Sequence, residues 1–149
     1  MTDIHIDDFY KDVAKILLQL YIFFPKPATL YVEDISGPDQ PDEFGLHSDR
    51  HQAAFSTIIW LGKTGFLHYE DTIRQEAVDQ AVLTKTGFTL LSDRSRINPD
   101  EDDVVKNYPP SVVEEISTNI NLIRKALKSK SSIEIRHCIQ HIINQSRFH

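Results

Sequence analysis

The chain is poor in the residues that carry most recognisable chemistry. Cys138 is its single cysteine in 149 residues, which excludes an intramolecular disulfide and fits a reducing interior. Its five glycines sit at turns and helix ends. None belongs to a phosphate loop G-x-x-x-x-G-K-[ST], a dinucleotide fingerprint G-x-G-x-x-G or a nucleophile elbow G-x-S-x-G, and H-E-x-x-H is missing as well. These absences point away from an enzyme, and no catalytic residue or cofactor is assigned. A long hydrophobic run is missing too. The apolar cluster over residues 16–24 is broken by Gln19 and ended by Pro25, too short to span a bilayer. The opening MTDIHIDDF is acidic and lacks the basic and apolar regions of a signal peptide. The expectation is a cytoplasmic protein with no membrane role.

Positive charge is also scarce. The net charge is −6, and phosphate neutralisation by Lys and Arg supplies most non-specific affinity for nucleic acid. Residues 1–62 hold 4 basic and 10 acidic groups, residues 99–110 hold 1 and 4, and residues 111–149 hold 6 and 3. Any nucleic-acid face must therefore be local, against an unfavourable overall field. The acidic run Asp100-Glu101-Asp102-Asp103 reads as a solvated connector.

What is present is helical periodicity. Phe9, Val13, Ile16, Leu17, Leu20, Phe23 and Phe24 keep one helix face, with Lys11, Asp12, Lys15 and Gln19 on the solvated side and Pro25 as the stop. Residues 28–35 fit either a strand or a short helix. Residues 36–45, with two prolines and two glycines, read as loop. Ser48 is a good N-cap for a second amphipathic helix carrying Ala54, Phe55, Ile58, Ile59 and Leu61. Gly62 ends it, 63–65 turn, and short strands follow at 66–69 and 81–83. Between them, residues 71–80 contain no glycine, proline or asparagine for a tight hairpin. Thr72 and Gln75 match a capping box there, so a long hairpin and a helical turn both remain open. Thr84 caps a last short helix within L-T-x-x-G-φ-x-φ-φ at residues 83–91.

This order of helix, glycine turn, strand, connection, strand and L-T-x-x-G segment resembles the second half of winged-helix (winged helix-turn-helix) domains, over roughly residues 9–92. The resemblance implies a mostly α (α+β) fold with a small antiparallel β-hairpin as the wing, and residues 48–62 as the recognition helix. It divides the chain into a winged-helix-like domain at 1–92, an acidic connector at 93–110 and C-terminal helices at 111–149. By the same resemblance the expected function is double-stranded DNA binding by a dimeric transcriptional regulator. Arg50, Gln52, Ser56 and Thr57 would read base edges, and Lys63, Arg74 and Lys85 would hold the backbone. The alternative is the same fold used for protein–protein assembly without DNA.

In the C-terminal region Val113, Ile116, Ile120, Ile123 and Leu127 keep 3-4 spacing, and Ile133, Ile135, Ile139, Ile142 and Ile143 continue it beyond a break at 128–132. Such narrow stripes need a cover, either the first helix or, as the resemblance favours, a second copy in a homodimer. Two histidine pairs at four-residue spacing suit metal ligation only weakly. His47/His51 has no evident third ligand. In the cluster His137, Cys138 and His141 the cysteine fits the apolar stripe with Ile135 and Ile142, and His149 is a poor fourth ligand. No metal is assigned to either.

Overall fold

The computed structural model describes residues 3–95, 109 and 117–148. Helix α1 (Ile4–Phe23) starts five residues before the expected Phe9, and its apolar stripe Val13, Ile16, Leu17 and Leu20 lies at the centre of the core. Residues 28–35 resolve into both of the forms left open: strand β1 (Ala28–Tyr31) runs directly into helix α2 (Val32–Ser36). Helix α3 (Asp49–Lys63) begins at Ser48, whose hydroxyl accepts the His51 N–H at 3.2 Å. Gly65, with φ of +87°, then makes the left-handed turn that only glycine takes without strain.

Strands β2 (Leu67–His68), β3 (Asp71–Ile73) and β4 (Ala77–Leu83) settle the 71–80 region as a hairpin. β4 is its long arm, antiparallel to β2 and β3 on one edge and to β1 on the other. With no glycine at the tip, Arg74 itself takes the left-handed conformation, φ 53°, a cost of roughly 1 kcal/mol that the pairing on both sides offsets. A bulge at Asp79–Gln80, where Gln80 has φ 52°, shifts the register between Leu30↔Val78 and Ala28↔Ala81. Helix α4 (Lys85–Ser92) follows, capped by the Thr84 hydroxyl, which accepts the Gly87 N–H at 3.0 Å.

Helices α5 (Asn119–Ser129) and α6 (Ser132–Gln145) form a hairpin broken at Lys130 (φ 58°), with Ser131 capping α6. They do not stand apart as an arm. Ile120, Ile123, Ile135, Ile139 and Ile142 are buried in the same core as α1 and α3. Polar sewing fixes them further: the Asn119 side chain donates to Leu90 O at 2.7 Å and to Gln145 Oε1 at 3.2 Å, while Ser95 N–H donates to Ser117 O at 2.8 Å. The stripe expected to meet a second copy is thus spent inside the chain at Ile120 and Ile123, with Leu127 half-buried against the core. Val113 and Ile116 lie outside the described residues. Among the described residues no helix is long and apolar enough to cross a membrane.

Candidate functional site

Helix α3 buries His51, Ala54, Thr57, Ile58 and Leu61 and leaves Asp49, Gln52, Ser56, Trp60 and Lys63 on one exposed line. The steps of 3, 4, 4 and 3 residues are those of a single helix face. Four of the residues expected to meet DNA are therefore differently placed. Gln52 and Ser56 are exposed on that line, although the Gln52 amide donates to His47 O at 2.8 Å. Thr57 is buried, and its hydroxyl donates to Ala53 O at 2.9 Å. Its side chain does not belong to the exposed face, because one residue beyond Ser56 is about 100° round the helix, on the side of the core.

Arg50 is turned sideways onto α1. Its Nη1 donates to Asp12 Oδ2 at 2.8 Å, its Nη2 to Asp12 Oδ1, and its Nε lies 3.7 Å from Asp8 Oδ2. Asp12, expected on a solvated face, is completely buried. Burial pushes its carboxyl up, and the hydrogen bond and charge of Arg50 pull the other way; Arg50 is itself held up first by that hydrogen bond. The two-pronged contact is the strong form of an arginine–carboxylate pair. It ties α3 to α1 across 38 residues of sequence.

Of the expected backbone contacts, Lys63, Arg74 and Lys85 are all exposed. The hairpin around Arg74 is acidic, with Glu70, Asp71, Glu76 and Asp79 all between Leu67 and Leu83. Exposed apolar surface sits nearby in sequence: Trp60, which meets Phe9 edge-on at 5.2 Å, and Ile73 in the hairpin.

A second group gathers at the start of α3. The loop before the helix folds back so that Asp39 accepts from the Ser48 hydroxyl at 2.6 Å (Oδ1), from Ser48 N–H at 3.2 Å and from His47 Nδ1 at 2.9 Å (both Oδ2). These bonds, that from the Ser48 hydroxyl first, hold the Asp39 carboxyl down at about 2. The rings of His47 and His51 stack at 3.7 Å. Both line a cavity of about 320 Å³ with Tyr31, Glu33, Asp34 and Glu76. Sequence reasoning found the histidine pair but not Asp39. The signal was D-x7-H-x3-H, which local periodicity does not connect.

The other histidine pair behaves differently. His137 and His141 meet edge-on at 4.8 Å on an exposed face of α6, whereas Cys138 points into the core. The three do not converge. Burial pushes the Cys138 thiol up to about 12, and the thiolate is the reactive form. Cys138 is expected to resist a thiol reagent in the folded protein and to react fully in denaturant; labelling followed by mass spectrometry checks this, and rapid native labelling would contradict it.

Comparison with protein-family models, with curated proteins and with solved structures finds no match to the chain.

Proposed function

We propose that the chain is a winged-helix-type binding module, without catalytic activity, whose α3 line and hairpin meet a basic protein surface. The order α1-β1-α2-α3-hairpin, with β4 lying between β1 and the β2–β3 edge, supports the winged-helix reading. The observation that carries the choice of partner is the use of Arg50. The first cation of α3 is committed to Asp12 and Asp8, so the exposed line offers Lys63 against Asp49, and the hairpin carries four carboxylates and one arginine. Phosphates approaching such a face meet net negative charge. A lysine- or arginine-rich protein surface meets complementary charge at the hairpin, where Ile73 is exposed, and apolar surface at Trp60 on the α3 line.

A second reading keeps duplex DNA. It is favoured by Gln52, Ser56 and Lys63 standing on one exposed line, with Arg74 and Lys85 also at the surface. One titration separates the two. Fluorescence anisotropy of labelled random duplex is expected to show no binding even at low salt, whereas a labelled lysine-rich peptide binds and is released as salt rises. Steep salt-sensitive binding of the duplex, weakened by Lys63→Ala, would overturn the protein-partner reading and establish the other.

A further inference from the structure

The histidine–aspartate group at the start of α3 has the form of a metal site, and its construction does not depend on what the exposed face binds. His51 decides the matter. Its ring is 1% exposed, and Nε2 lies 2.7 Å from Gln75 O. A carbonyl oxygen can only accept, so Nε2 carries a proton, and in the uncharged form of the ring Nδ1 is then a bare lone pair. That Nδ1 is buried and has no hydrogen-bond partner. Leaving a buried acceptor unmade costs roughly 1–3 kcal/mol, so the site calls for something that accepts a lone pair.

The neighbours match that need. Asp39 Oδ2 is 3.9 Å from His51 Nδ1 and 2.9 Å from His47 Nδ1, and one donor atom from each of the three residues lies within 4.8 Å of the others. Zinc–nitrogen bonds of about 2.0–2.1 Å in a tetrahedron put neighbouring ligands about 3.3 Å apart, between the two observed distances. We propose that Asp39 Oδ2, His47 Nδ1 and His51 Nδ1 bind a divalent first-row transition metal of the Zn²⁺ class, leaving the fourth position open to water.

The outer groups are those such a site needs. Metal-binding imidazoles usually donate the other ring N–H to a carbonyl or carboxylate, which fixes tautomer and orientation. Gln75 O does this for His51. The His47 ring stacks nearly parallel on His51 at 3.7 Å, so it has to turn for its Nδ1 lone pair to converge with that of His51. Its proton moves from Nδ1 to Nε2, which lies 3.9 Å from Glu76 Oε1. Asp39 keeps the Ser48 hydroxyl on Oδ1, so its Oδ2 turns to the metal without losing its anchor. Two imidazoles and one carboxylate suit Zn²⁺, Co²⁺ or Ni²⁺ rather than Mg²⁺ or Ca²⁺, which prefer oxygen ligands. The three ligands come from the loop before α3, the residue preceding its cap and its first turn, and both outer partners come from the hairpin tip. A bound metal therefore staples loop, helix and hairpin at one point.

The test uses the full chain, stripped with a chelator and titrated with Zn²⁺ by calorimetry, with Co²⁺ absorption as a report of nitrogen and oxygen ligands. One equivalent is expected to bind and to raise Tm. His51→Ala would empty part of the core, so the decisive variants are His47→Gln and Asp39→Asn, each checked for native circular dichroism. Each is expected to weaken Zn²⁺ binding by about tenfold or more, while His141→Ala changes nothing. No uptake by the stripped wild type overturns the proposal. So does uptake that survives both variants undiminished or that is lost in His141→Ala.

Discussion

Replacing Arg50 by methionine is expected to cost about 3 kcal/mol of stability, the lower end for breaking a buried pair, since Arg50 keeps one side in water. The reason is the carboxylate left behind. Asp12 is completely buried, and it is held by both terminal nitrogens of Arg50. Without them only the weaker pull of Lys15 opposes the burial of its charge. The pH dependence has a definite sign. In the variant, burial is left to push the Asp12 carboxyl up without the Arg50 bond that opposed it. A carboxyl raised above its unfolded value of about 3.9 favours folding while protonated. The deficit of Arg50→Met is therefore smallest below about pH 4 and grows as pH rises through the folded-state value. Adding Asp12→Leu removes the stranded carboxyl and should restore most of the loss, because apolar replacements of a buried pair are commonly near neutral. Urea unfolding of the two single variants and the double variant forms the cycle. Additive losses in the double variant would show that the pair is not what joins α3 to α1.

Gly87→Ala is expected to lose about 3 kcal/mol despite the better helix propensity of alanine, worth roughly 1 kcal/mol in its favour. A Cβ at position 87 would stand 2.1 Å from Phe66 O. That oxygen cannot step aside cheaply. It accepts from Thr84 N–H and from the Thr84 hydroxyl, each at 3.2 Å, and Phe66 N–H in turn donates to Leu61 O at 3.0 Å. The added methyl therefore has to move the end of α3 or the start of α4. Thr86→Ala, next to it on α4 and only half-buried, serves as the control and should change stability little. If Gly87→Ala unfolds at the wild-type urea concentration, the close approach of Phe66 O is not what demands glycine here. Since Lys63 ends α3, a shift there would also disturb the exposed line on which both readings of function depend.

What the sequence determined by itself was local. The apolar period of residues 9–24 placed α1, Ser48 and Thr84 placed two helix starts through their own hydroxyls, and Pro25 placed one stop. Gly62, expected to end α3, lies within it, and the left-handed turn comes at Gly65. These signals work because a cap or a stripe acts on neighbours within one or two turns. Gly87 was visible as the glycine of L-T-x-x-G, but its reason, the Phe66 carbonyl, lies 21 positions upstream.

The tertiary structure decided the rest. Nothing within a helical turn of Arg50 indicates that Asp12 will be buried beside it, and on the surface pattern alone both look solvated. The polar signature of a DNA-reading residue and of a core anchor is the same until the partner is placed. His47 and His51 were legible as a pair; Asp39, which completes the group, arrives only because the loop folds back onto Ser48. The aliphatic stripes of α5 and α6 announced that something must cover them. That α1 and the shared core supply the cover was decided by chain packing, since hydrophobic periodicity specifies a face but carries no address for what that face will meet.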